Sequence, residues 1–142
     1  MEFPKSTKFD RCTIEIVPRY CETDQSGVIH HTVYPVYFEM GRTELLRANG
    51  LAYRDLEKSG TFFVVARLEV KYRRPALYDE KLQLETICTL TTRAKVEHTY
   101  YLKRDGLILV EGTSALACVD EKGKLKSIPD FMYSKVESAN AE

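Results

Sequence analysis

Between residues 12 and 20 apolar and polar positions alternate, with Cys12, Ile14, Ile16 and Pro18 set against Thr13, Glu15, Val17 and Arg19. A period of two marks a strand with one buried face and predicts a first strand here. A polar loop follows, Glu22-Thr23-Asp24-Gln25-Ser26-Gly27, and then Val28-Ile29-His30-His31-Thr32. From Val33 the period changes. Tyr34, Tyr37, Phe38, Gly41, Leu45 and Ala48 recur at three- and four-residue steps, which predicts an amphipathic helix of about four turns. Glu39, Arg42, Glu44 and Arg47 fall largely on its other side. Pro35 suits the first turn, where a missing N–H costs nothing, and Asn49-Gly50 is a stop signal. Residues 53–58 add a short helical turn before Ser59-Gly60.

The remainder alternates again. Val64, Ala66, Leu68, Val70 and Tyr72 face one way along a second strand that Pro75 ends. Leu82, Leu84, Thr86, Cys88 and Leu90 define a third, and Val96, His98, Tyr100 and Leu102 a fourth. Arg104-Asp105-Gly106 is a hairpin turn. Leu107 to Val119 is apolar on both faces for most of its length, which predicts an interior strand or one whose outer face meets another subunit. Pro129 is expected to close the ordered part. One strand, one long helix and four antiparallel strands make an α+β layer, whose single helix must cover the apolar face of a curled five-stranded sheet. No repeat or second domain interrupts residues 1–142. An ordered core over about 10–133 with loose ends is expected.

Composition narrows the function classes. The 142 residues carry 21 Lys plus Arg against 21 Asp plus Glu, and this neutral balance argues against a duplex DNA or RNA binder. The longest strictly apolar run, residues 62–66, is far too short for a membrane span. The N-terminal Met1-Glu2-Phe3-Pro4-Lys5 has no signal-peptide core. Cys12, Cys21, Cys88 and Cys118 lack the spacing of a zinc or redox dithiol site and read as buried free thiols. These features predict a cytoplasmic protein without a metal or redox cofactor.

Candidate chemistry gathers in the loop before the helix. A helix start offers unpaired N–H groups and partial positive charge, suited to an anion or an oxyanion. Asp24 beside it reads, on its residues alone, first as an Asp that orders a turn. The alternative is a carboxylate that attacks a carbonyl or activates water.

A longer stretch weighs between them. Residues 19–34, Arg-Tyr-Cys-Glu-Thr-Asp-Gln-Ser-Gly-Val-Ile-His-His-Thr-Val-Tyr, resemble the signature of hotdog-fold acyl-CoA thioesterases of the 4-hydroxybenzoyl-CoA and Tol-Pal-associated type. Residues 70–79, Val-Lys-Tyr-Arg-Arg-Pro-Ala-Leu-Tyr-Asp, resemble that family's second recurrent segment. The resemblance covers about residues 12–131 in order and spacing. It implies a five-stranded antiparallel sheet wrapped around one long central helix, and hydrolysis of an acyl-CoA to free acid and CoA. It also implies a homodimer or homotetramer whose sites lie between subunits.

Carried over position by position, the resemblance gives Asp24 the catalytic carboxylate, as nucleophile or general base. His31 takes the position whose backbone N–H polarises the thioester carbonyl. Gly27 matches a glycine that lets the loop pass the substrate, and His30 is a candidate for positioning it. Phe63 and Val64 match a segment lining the acyl pocket. Arg93 and Lys95 lie where relatives place CoA-binding basic residues, and Arg74 joins them as a candidate phosphate contact. Val33 stands where the family usually has Asn, and Glu22 where Asp is commoner. The fold's other pattern, a His-Gly-Gly loop followed by a helix glutamate, has no counterpart around Glu39 or Glu44. His98 reads as a satisfied polar residue of a strand. Two alternatives stay open: a thioesterase acting on acyl groups held by an acyl carrier protein, and a non-catalytic acyl-CoA-binding protein.

Overall fold

The structure, a computed structural model, describes residues 8–133 together with 136–137. Its elements in chain order are β1 (Lys8–Phe9), β2 (Arg11–Ile16), a 3-10 turn (Tyr20–Glu22), α1 (Tyr34–Ala48) and α2 (Tyr53–Lys58). Four long strands follow, β3 (Phe62–Tyr72), β4 (Leu82–Thr91), β5 (Val96–Arg104) and β6 (Leu107–Val119). A second 3-10 turn (Asp130–Tyr133) and β7 (Val136–Glu137) come last. Five strands form one antiparallel sheet in the order β2-β4-β5-β6-β3, so β2 and β3 are its edges. The long strand β6 lies inside it, between β5 and β3. At the ends, Lys8–Phe9 pairs in parallel with Val136–Glu137, and the 3-10 turn after Pro129 lies within the expected core of about 10–133. Residues 1–7 lie outside the described residues.

α1 lies against the sheet because its stripe is bulky where the sheet is bare. Phe38 stacks flat on Tyr100 of β5 with ring centroids 4.3 Å apart, and both are fully buried. Tyr34, Tyr37 and Phe38 join Ile16, Leu82, Leu84, Leu102, Leu109 and Val110 in the main core. Burying each such side chain is worth about 1.5–3 kcal/mol. Two glycines allow the approach. A Cβ on Gly41 of α1 would lie 2.1 Å from Thr86 Oγ1, and one on Gly112 of β6 would lie 2.3 Å from the Phe38 ring.

Three bulges break the simple alternation. β3 shifts register between Val65 and Arg67, so Val65, not Val64, shares a face with Leu68. β4 shifts between Cys88 and Leu90, which turns Leu90 outward. On β6 the shift lets Leu109 and Val110, adjacent in sequence, both be fully buried. An inserted residue flips every side chain beyond it, and a period count cannot see it.

Five side chains depart from expectation. Arg42, placed by the helical wheel on the polar side, is buried, whereas Ala48 of the apolar stripe is exposed. His98 is buried and among the described residues its Nδ1 has no hydrogen-bond partner, so it is not the satisfied polar residue its pattern suggested. Of the four free thiols, Cys12 and Cys118 are buried, Cys88 is half-buried and Cys21 is exposed.

Candidate active site

The loop from Glu22 to Val33 is tied down before it reaches α1. Glu22 is its anchor. One carboxylate oxygen accepts from the Arg19 backbone N–H at 2.8 Å and from the Tyr37 hydroxyl at 2.7 Å, and the other accepts from the Arg19 guanidinium at 3.1 Å. Burial pushes this carboxyl up, but the bonds from Arg19 and Tyr37 outweigh it and the net shift is down. The Glu22 carbonyl accepts from the His30 N–H, and Ile29 N–H reaches Ala76 O. Glu22 thus holds both ends of the loop to the helix and to itself, which is why a buried acid stands there.

Inside that frame Asp24 forms a tight turn. Its Oδ1 accepts from the Ser26 backbone N–H at 2.8 Å and from the Ser26 hydroxyl at 2.6 Å, the Asp-x-Ser turn that both residue types favour. Those bonds, the hydroxyl first, hold the Asp24 carboxyl below its ordinary value, so it is ionised at neutral pH. The Val28 backbone N–H adds a weaker interaction with the same carboxylate, which lies on the groove lined by Thr23, Asp24, Gln25, Ser26, His30 and His31. Gly27 closes the turn at φ +85°, a left-handed conformation that L side chains rarely adopt. A Cβ there would meet nothing within 4 Å, so the φ and not crowding by the protein calls for glycine.

His30 and His31 stack at 4.4 Å. His30 Nδ1 lies 2.8 Å from Thr32 Oγ1 and 3.2 Å from the Thr32 backbone nitrogen, which fixes the ring on the loop. The His31 carbonyl accepts from the Tyr72 hydroxyl at 2.7 Å, whereas the His31 N–H donates to nothing among the described residues. α1 then begins with Pro35 in its first turn and no side-chain cap, since Val33 has no polar atom to supply one. An unengaged N–H and an uncapped helix start therefore sit beside an ionised carboxylate. The second recurrent segment packs on the same place: Ala76, fully buried, donates its N–H to the Tyr34 hydroxyl at 3.3 Å.

The nine candidate residues divide into two groups. Asp24, Gly27, His30 and His31 are together, and Arg74 lies at that end of the sheet, its guanidinium donating to Ile108 O at 3.0 Å. Phe63 and Val64 lie at the other end of β3, about 30 Å from Tyr72 at the usual rise per strand residue. Arg93 and Lys95, in the β4–β5 connection, are at that far end too, with Lys95 paired to Glu97 at 2.7 Å. One chain does not bring the two groups together. Four residues that shape the loop carried no role in the sequence reading: Glu22 as anchor, Ser26, Thr32 and Tyr72. The Asp-x-Ser spacing was a readable signal for Ser26. Tyr72 and Glu22 act across the fold, and nothing local marks them.

A curled five-stranded antiparallel sheet on one long helix, with an acidic loop at the helix start, is the hotdog architecture of thioesterases. The chain belongs to the thioesterase-like superfamily, whose sequence pattern matches residues 18–136. It is 36% identical over 110 residues to the acyl-CoA thioesterase YbgC of Haemophilus influenzae, covering 77% of this chain and 80% of that one. It is 30% identical over 118 residues to the acyl-CoA thioester hydrolase YbgC of Escherichia coli, covering 82% and 88%. Among solved structures, the DHNA-CoA thioesterase of Staphylococcus aureus superposes with a TM-score of 0.79 at 31% identity, covering 87% of this chain and 83% of that one. Among the described residues no helix is long and apolar enough to cross a membrane.

Proposed function

We propose that the protein hydrolyses the thioester of an acyl-CoA to the free acid and CoA. The observation that carries this reading is the ionised Asp24 on an open groove beside the unengaged His31 N–H at an uncapped helix start. The thioester carbonyl oxygen would take its hydrogen bond from the His31 N–H, whose donor strengthens as negative charge develops on that oxygen. Asp24 would supply the attack. As a nucleophile its Oδ2 adds to the carbonyl carbon, the C–S bond breaks, CoA leaves as thiolate, and water cleaves the mixed anhydride. As a general base it takes a proton from water, which adds instead. A single turnover in heavy-oxygen water tests the first route: label in the Asp24 carboxylate establishes the anhydride, whereas label only in the acid fits direct attack by water or an anhydride opened at the acyl carbonyl.

The reading takes the working unit to be at least a dimer. β3 is an edge strand of 11 residues, and Val64, Val65, Leu68 and Tyr72 on it are exposed. Two such edges paired antiparallel would bring Phe63, Val64, Arg93 and Lys95 of one subunit toward Asp24 and His31 of the other. A pair of such dimers gives the tetramer. Free thiols favour a reducing compartment, hence the cytoplasm.

Release of CoA thiol from aromatic, short-chain and long-chain acyl-CoAs tests the proposal, with wild type beside Asp24→Asn. Loss of acid–base help alone should lower turnover by about 10²–10⁴-fold. No turnover of any acyl-CoA by folded wild-type protein would sink it. The same acyl groups presented on acyl carrier protein then decide between the two carriers.

A further inference from the structure

The His31 N–H belongs to a turn that β3 clamps from outside. The Val33 N–H donates to the His30 carbonyl at 3.0 Å, which closes a four-residue turn over residues 30–33. His30 O and the His31 N–H share one trans peptide, so the two groups point in opposite directions. The grip of Val33 on the oxygen therefore aims the His31 N–H out of the turn. The next peptide, between His31 and Thr32, is the central one, whose orientation distinguishes one turn type from another. Both of its polar groups are engaged. The Thr32 nitrogen lies 3.2 Å from His30 Nδ1, and the His31 carbonyl accepts from the Tyr72 hydroxyl at 2.7 Å.

Complete reversal of that central peptide is closed off already. It would force a positive φ on Thr32, which a β-branched residue resists and which Thr32 does not take. What remains is rocking within one well, and of the two bonds that limit it only the one from Tyr72 comes from outside the loop. Tyr72 is built to hold still. It is the last residue of β3, opposite Val110 of β6, and the N–H groups of Arg73 and Arg74 both donate to Leu109 O at 2.9 Å. Its ring meets Tyr34 edge-on at 5.6 Å and His31 at 6.5 Å. The hydroxyl is thus the tip of a ring fixed on two sides and rooted in the sheet.

We propose that Tyr72 is a positioning residue for thioester cleavage: its hydroxyl sets the tilt of the His31–Thr32 peptide and, through it, the aim of the His31 N–H at the developing oxyanion. The assignment rests on the thioesterase reading and adds to it a group that does not line the Asp24 groove. Loss of a whole oxyanion donor costs about 10²–10³-fold in kcat. Without the Tyr72 hydroxyl the donor is still present but loosely aimed, so the loss is a fraction of that, about 10-fold. It falls on kcat and not on KM, because the His31 hydrogen bond strengthens only as charge develops on the carbonyl oxygen.

Tyr72→Phe removes the hydroxyl and keeps the ring. Full-length wild type and variant are assayed for CoA thiol release from butyryl-, benzoyl- and palmitoyl-CoA. On each ester that wild type cleaves, kcat should fall about 10-fold while KM stays within about three-fold. The acid limb of kcat should stay put, since Ser26 and not Tyr72 holds Asp24 ionised. The carbonyl-¹³C form of the ester cleaved fastest is then bound to Asp24→Asn protein and read by infrared difference spectroscopy. Its C=O stretch should lie below that of the free ester, and adding Tyr72→Phe should return it part of the way. That signal comes from bound ester alone, so a smaller folded fraction cannot mimic it. Three results would overturn the proposal: an unmoved carbonyl stretch, a loss confined to KM, or Tyr72→Phe as active as wild type with only Tyr72→Leu slow, which would make the side chain mere packing. Failure of wild type to cleave any of the three esters removes the thioesterase reading, and this proposal with it.

Discussion

Gly112→Ala probes the contact that sets how close α1 sits to the sheet. Gly112 has ordinary strand backbone, so alanine by itself would help by about 0.4–1 kcal/mol through the unfolded chain. Packing opposes this. The new Cβ would lie 2.3 Å from Phe38 Cε2 and 2.6 Å from Cζ. Carbon atoms prefer a separation of about 3.5–4.0 Å, so ring or helix must retreat by more than about 1 Å. The ring cannot slide freely, because Tyr100 covers its face at 4.3 Å and the Tyr100 hydroxyl is held by Arg42 and Ser114. Overpacking of this kind costs about 1–3 kcal/mol, and a clash this deep belongs at the upper end.

The net loss should be about 2 kcal/mol, read as a lower urea midpoint at unchanged slope and fixed protein concentration. Phe38→Leu removes the two clashing atoms and should itself destabilise. In that background Gly112→Ala should cost less than about 1 kcal/mol, a coupling of about 1–2 kcal/mol. Additivity to within about 0.5 kcal/mol would refute the idea that this contact fixes the helix-to-sheet distance.

Other expectations follow from single groups. Glu22 has a folded-state pKa below its unfolded one, so its contribution is present above about pH 4.3 and fades as pH falls through the folded value. Glu22→Gln should cost about 1 kcal/mol at pH 7 and flatten the acid side of a Tm-against-pH curve, whereas an unchanged curve would show that the acid is not an anchor. Ser26→Ala removes the strongest of the bonds holding Asp24 ionised, so the acid limb of kcat/KM should move to higher pH while the rate at pH 8 changes little. A limb that stays put would mean that Asp24 is not the titrating group. Gly106 has φ +81° in the β5–β6 turn, and Gly106→Ala should cost about 1–2 kcal/mol in urea unfolding with no effect on thioester cleavage.

How much of this could be read from residues alone depended on the range of the physics involved. α1 was legible because its apolar stripe and its Asn49-Gly50 stop are local, and the strand edges fell within a few positions of those expected. The β5–β6 turn was legible for the same reason, since Asp105 and Gly106 both take positive φ. The bulges at Ala66 and Thr89 were not, because an extra residue in one strand is defined only against its partner. Arg42 was misplaced because its stabilising contact is Tyr100, 58 positions away. The candidate loop divides in the same manner. Asp24, Gly27 and His31 were marked by the family resemblance of residues 19–34, whereas Glu22 and Tyr72 hold the loop through Tyr37 and the His31 carbonyl, partners that only the folded chain supplies.

The division of the candidate residues between two ends follows from how the sheet is built. A single helix covers the middle strands and leaves β3 as a long edge, with open backbone groups and apolar side chains facing water. Natural sheets blunt such edges with charge, proline or cover. Here Arg67, Glu69 and Lys71 supply some charge, yet Val64, Val65 and Leu68 remain. An edge left in that state is better suited to a copy of itself than to solvent, and antiparallel self-pairing satisfies a two-fold axis without any further adjustment. In the proposed dimer the same operation that covers the edge would bring the basic β4–β5 connection of one subunit toward the Asp24 loop of the other. Stability and chemistry would then rest on one contact, and the basic residues that meet the anionic end of a CoA-like substrate would come from the chain opposite the Asp24 carboxylate.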